Sequence, residues 1–146
     1  MEIVAAELCE VTEVTSQRLA KVNAEETSRR PSSGEWSKKE ILGHLIDSAT
    51  NNHHRFVRAL QDNGLVFPAY EQEDWVRLQA HNRRPWEQLV SLWKLYNLHL
   101  AHIVRQMPSE KLETPCSIGS YEPVTLRHLI EDYLVHTKQH LKQLGL

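Results

Sequence analysis

Apolar residues recur every three or four positions in four long stretches of this chain, the period of helices that each bury one face. In residues 3–23, Val4, Leu8, Val11, Thr15, Leu19 and Val22 share a stripe, while Glu7, Glu10, Glu13, Arg18 and Lys21 fall largely elsewhere. After a polar connection broken by Pro31 and Gly34, Ser37-Lys-Lys-Glu40 reads as a capping box. It starts a second helix that runs to Asp62, before Asn63-Gly64. Pro85 suits a first helical position, and residues 86–107 then place Leu89, Leu92, Trp93, Tyr96, His99, Leu100, Ile103 and Met107 on one face, stopped by Pro108. Thr125 is the expected N-cap of the last helix, whose stripe to Leu144 is Leu126, Leu129, Tyr133, His136 and His140.

The connections are long. Residues 65–85 hold Pro68, Tyr70, an acidic-aromatic run from Glu71 to Trp75, and Arg77, Arg83 and Arg84. A short helix is expected over 71–79, and the segment reads either as a lid or binding loop or as a cap on the bundle end. Residues 109–124 carry Pro115, Gly119 and Pro123 to the last helix. With only five glycines and long segments rich in Leu, Glu, Gln, Lys and Arg, helix is favoured over sheet throughout. The expected architecture is all-α, a four-helix bundle with long connections. Its 146 residues suit one domain, 1–146.

Charge narrows the partners. A net charge of −2 with 25% charged residues lacks the basic excess of a nucleic-acid binder. No stretch approaches 18 apolar residues and the first ten are acidic where a secretory signal is basic, so the expectation is a cytoplasmic protein with no membrane partner. Cys9 and Cys116 form no paired motif and are expected to be free thiols.

Two features point to chemistry. His136 and His140 stand four residues apart on the inward stripe, which aims both imidazoles the same way from successive turns. A chain with nine histidines can show this spacing by chance. A catalytic metal site commonly takes three protein ligands and leaves one position open, so the pair calls for a third. The second helix supplies it, because its inward stripe, Ile41, His44, Leu45, Ser48, Asn52 and then Arg55 or Phe56, is too polar for a plain core. Its His44 is the candidate third ligand. Asp47, one turn on, could fix a ligand imidazole's tautomer or accept a proton, or it could pair with Arg55 or a lysine. Arg55, if inward, needs an anion, either Asp47 or a substrate carboxylate. His99 reads as a substrate contact or as a hydrogen-bonded core histidine.

Trp36-Ser37-x-x-Glu40-x-x-x-His44-x-x-Asp47, Arg55 further along, the 70–75 segment, the approach from Gly119 to Thr125, and His136-x-x-x-His140 together resemble the DinB/YfiT-like family of metal-binding four-helix bundles. The resemblance covers almost the whole chain, with Glu71 standing where an aspartate is expected. It implies His44, His136 and His140 as ligands of a divalent metal, commonly zinc or nickel, and often a homodimer. It also implies a small-molecule substrate, since the family includes low-molecular-weight-thiol S-transferases and metal-dependent hydrolases. The ligand set alone does not separate those two activities, and a non-catalytic stress protein that binds a metal or a ligand is the third reading.

Overall fold

Five helices form where the apolar period is strongest: α1 (Glu2–Leu19), α2 (Lys38–Gln61), α3 (Gln72–Gln79), α4 (Trp86–Arg105) and α5 (Leu126–Gln143). They belong to a computed structural model that describes residues 1–145. The predicted capping box is present, with Ser37 Oγ accepting from Glu40 N at 3.2 Å and Glu40 Oε2 accepting from Ser37 N at 2.9 Å. Arg30 pairs with the same carboxylate, which ties the preceding connection to the start of α2. Thr125 caps α5 through His128 N. By contrast α1 stops at Leu19, short of residue 23, where the Trp86 indole donates to the Leu19 carbonyl at 2.9 Å and satisfies one of the groups a helix end leaves open.

The long helices pack as a bundle in which α4 lies against both α1 and α2, and α5 lies against α2 and, less extensively, α1. Helices α1 and α2, consecutive among the long ones, therefore sit diagonally, as do α4 and α5. Diagonal placement needs a connection that crosses the bundle end, which explains the length of the 20–37 and 106–125 segments. The short α3, predicted over 71–79, packs on α2.

Sheet was not expected, yet three short strands are present: β1 (Leu65–Phe67), β2 (Pro115–Ile118) and β3 (Val124–Thr125), in the order β1-β2-β3. β1 runs parallel to β2 with Leu65 opposite Cys116 and Phe67 opposite Ile118, and β2 runs antiparallel to β3 with Cys116 opposite Val124. Segments of two to four residues carry no readable alternation. Tertiary proximity of the two long connections makes them pair.

Two apolar clusters occupy opposite ends of the bundle. One gathers Phe56, Leu100, Val104, Leu126 and Ile130, and the other Leu19, Leu42, Leu45, Leu89 and Trp93. Between them runs a buried polar belt that includes Thr12, Ser16, Ser48, Asn97 and Thr137. Asn97 donates to Trp93 O at 2.8 Å and accepts from the Tyr133 hydroxyl at 2.6 Å, a buried bond between the diagonal helices α4 and α5. Because Tyr133→Phe leaves the Asn97 oxygen buried without a donor, it should cost about 1–3 kcal/mol in urea unfolding while preserving the helical spectrum.

Candidate metal centre

α2 and α5 bring three imidazoles to one point. The capping box fixes the phase of α2 from its first turn, so His44, seven residues after Ser37, faces α5. His136 and His140 come from successive turns of α5. One nitrogen from each ring lies within 4.8 Å of the other two, and His44 Nε2 is 3.3 Å from His136 Nε2. The ring centroids are 4.6 Å apart for His44 and His140 and 4.5 Å apart for His136 and His140.

Burial disfavours a charge on two of these rings, His44 and His136. His44 has no solvent exposure, and desolvation, followed by His140 and His136, pulls its pKa down to about 3. His136 is lowered by burial and then by His140, with Asp132 offsetting part of the effect. Trp36 covers His44 with ring centroids 5.1 Å apart. The His140 Nδ1–H donates to Gln143 Oε1 at 2.9 Å, which leaves its Nε2 as the free lone pair. Sequence reading missed Gln143, although its i+3 position beside a candidate ligand was the available signal.

Neutral nitrogens that converge this closely repel unless a proton or cation lies among them. A tetrahedral cation with metal–nitrogen bonds of about 2.0–2.1 Å separates its ligand nitrogens by about 3.3–3.4 Å, and the His44–His136 spacing matches that edge. The three residues fit a divalent cation, and among the described residues no fourth His, Cys, Asp or Glu joins the cluster.

Asp47 and His99 lie outside the cluster, and Arg55 lines the cavity beside it. Asp47 is 2% exposed, but its Oδ1 accepts from Gln79 Nε2 at 2.7 Å and its Oδ2 lies 3.5 Å from His81 Nε2. His44 Nδ1 has no hydrogen-bond partner, so Asp47 does not fix its tautomer, and Asp47 makes no ion pair with Arg55. Its carboxylate instead anchors the end of α3. His99 is exposed and packs against His53 with centroids 5.1 Å apart, outside the imidazole cluster. The buried face of α4 runs through Trp93, Asn97, Leu100, Ala101 and Val104, one position off the stripe read through Tyr96 and His99. α5 shows the same offset, since Ile130, Leu134, Thr137 and Leu141 fill the core while His136 and His140 sit half-buried on its flank.

His81 went unnoticed in the sequence. Ala80, left-handed at φ 52°, ends α3 and turns the His81 ring into the interior against Gly43, where an added Cβ would stand 2.2–2.6 Å from that ring. A glycine in mid-helix next to His44 was the signal of that close approach. Glu71 precedes α3 but makes no side-chain cap.

A cavity of about 450 Å³ adjoins the cluster on its His136 side. Ser48, Asn52 and Arg55 of α2 face Leu129, Tyr133 and His136 of α5 across it, and Tyr70 and Tyr121 contribute from the connections. Burial, and after it the Asp47 carboxylate, pushes the Tyr70 phenol up to about 12. Both cysteines are free, with Cys116 buried beside the cavity. No helix among the described residues is long and apolar enough to cross a membrane.

The DinB superfamily matches residues 7–144. Two proteins of Oceanobacillus iheyensis, both provisionally named metal-dependent hydrolases, are similar in sequence. One is 27% identical over 92 residues, 63% of this chain and 53% of that protein, so the match spans about half the relative's length. The other is 24% identical over 120 residues, 82% of this chain and 69% of that protein. In fold the chain is similar to YfiT from Bacillus subtilis, described as a probable metal-dependent hydrolase with an unusual four-helix bundle topology, at a TM-score of 0.82 and 19% identity over 94% of this chain and 79% of that one. It is also similar to the mycothiol-dependent maleylpyruvate isomerase, at a TM-score of 0.79 and 13% identity over 99% of this chain and 60% of that one.

A base held neutral by burial makes stability depend on pH with a definite sign. The unfolded chain protonates His44 below about pH 6.5 and the folded chain only near pH 3, so the unfolded state binds more protons between those values. The metal-free protein should therefore lose up to about 1.4 kcal/mol per pH unit from this group as pH falls through that window. Urea unfolding at several pH values should show a shallower loss for His44→Gln. In Gly43→Ala the His81 ring must move, at a cost of about 1–3 kcal/mol measured the same way.

Proposed function

The chain belongs to the DinB superfamily, and on that premise we propose that it is a metal-dependent enzyme, a thiol S-transferase that joins a low-molecular-weight thiol to a small electrophile. The observation that carries the reading is the convergence of three imidazoles at the edge of a cavity, with no fourth protein ligand in the cluster among the described residues. His44, His136 and His140 would hold a divalent cation, zinc or nickel. Such a cation supplies Lewis acidity that ionises a coordinated thiol or water near neutral pH.

The remaining work falls to the chain's own side chains. Trp36 shields His44 from solvent and Gln143 orients His140. His136 is the ligand that faces the cavity, so a substrate enters along the α2–α5 groove and meets the site from that side. Tyr70, un-ionised at neutral pH, offers a hydroxyl to a bound molecule without adding charge. The fold shared with a mycothiol-dependent isomerase supports the choice of a thiol. A hydrolase of small esters or amides is the second reading, favoured by the provisional names of the similar proteins. The proposal includes a cytoplasmic homodimer, and exposed Ile3 and Val14 on α1 with Leu95 on α4 provide apolar surface for such a contact.

Wild-type protein loaded with nickel or zinc and then dialysed should retain about one metal per chain by elemental analysis. His136→Ala should abolish retention with an unchanged helical spectrum. Metal-loaded enzyme should accelerate conjugation of monobromobimane by at least one member of a panel of small thiols. Turnover of an ester or amide without thiol would move the assignment to the hydrolase, and loss of metal from the wild type would remove both.

A further inference from the structure

The guanidinium of Arg55 stands on the cavity wall without a counter-ion. Its Nε is buried and has no hydrogen-bond partner, and its carbon lies 5.9 Å from the centroid of the Phe67 ring. Glu122 and Asp132 line the same cavity, but neither they nor any other carboxylate among the described residues comes within ion-pair distance of Arg55. Tyr70 beside it is neutral at ordinary pH, so it provides no charge. Arginine does not shed its proton, and a half-buried guanidinium whose inner N–H is buried without a partner makes this position a receptor for an anion.

Its distance from the imidazoles sets the shape of the ligand. Arg55 is eleven residues after His44, which is about three turns and about 16 Å along α2, on nearly the same face. Side chains lean toward a helix N-terminus, so Arg55 reaches back toward the histidines along the groove that Ser48 and Asn52 floor. With Glu122 and Asp132 opposing one arginine, the cavity suits a single negative charge better than the double charge of a phosphate monoester.

We propose that this cavity binds an elongated small molecule by its carboxylate, held by Arg55, while its reactive end lies at His136. The placement of the reactive end rests on the metal-centre reading; the carboxylate subsite does not.

Calorimetric titration separates the two. Wild type and Arg55→Gln are first compared for nickel content and helical spectrum, both expected to be equal. Each metal-free protein is then titrated with hexanoate, hexanamide and hexyl phosphate, and each nickel-loaded protein with 6-mercaptohexanoate and its amide. The wild type should prefer the carboxylate over the amide by about tenfold or more with and without metal, and Arg55→Gln should lose that preference. Equal binding of acid and amide by the wild type, an undiminished preference in Arg55→Gln, or tighter binding of hexyl phosphate than of hexanoate would each overturn the subsite. Failure to retain nickel would sink the metal centre alone, because the hexanoate comparison is made without it.

Discussion

Three imidazole nitrogens brought within 4.8 Å of one another from two helices set the terms for the rest of this bundle. Two charged rings could not share that space, so burial that disfavours the charged form of His44 and His136 is part of the arrangement. His44 is kept neutral by complete burial beneath Trp36, and His140 is oriented by Gln143. The cluster needs α2 packed against α5 at the level of residues 44 and 136, which the apolar contacts of the two helices provide. The rest of the topology follows, since α1 and α4 then occupy the other two corners and the connections must cross the bundle ends.

A core that contains such a site cannot be apolar from end to end. The two hydrophobic clusters lie above and below a belt of small polar residues, and the belt is satisfied internally where it can be, as in the Tyr133–Asn97 bond. Where it is not, groups are left without partners: His44 Nδ1, His136 Nδ1 and Arg55 Nε at the site, Asp47 Oδ2 and both His81 nitrogens behind it, and Trp93 Nε1 and Thr137 Oγ1 in the core. Unsatisfied buried polar atoms are uncommon because each costs stability, and those of Arg55 and His136 border the same cavity. Asp47 and His81 belong to a separate device. Anchored to Gln79 and packed on Gly43, they fix α3 and the connection that carries Tyr70 to the cavity wall.

By itself the sequence determined the four long helices, the short α3, the caps at Ser37 and Thr125, and the inward placing of His44, His136 and His140 that lets them meet. The helices and caps rest on local periodicity or on side-chain-to-backbone bonds three residues apart, which a linear pattern records. The structure places Asp47 against Gln79 and His81, partners that no local pattern announced, and His99 outside the cluster. For His99, a stripe read from one helix has an uncertainty of about one position, or 100° of rotation, and only packing against neighbouring helices resolves it. That rotation put Asn97 in the core in place of His99, and it put His136 and His140 on the flank of α5, where a cavity can reach them. Tertiary structure alone decided the diagonal arrangement, the β1–β2 pairing across about fifty residues of chain, the insertion of His81 at Gly43 and the separation of Arg55 from the carboxylates among the described residues. Each of those depends on which distant segments meet in space, and no local pattern along a chain encodes that.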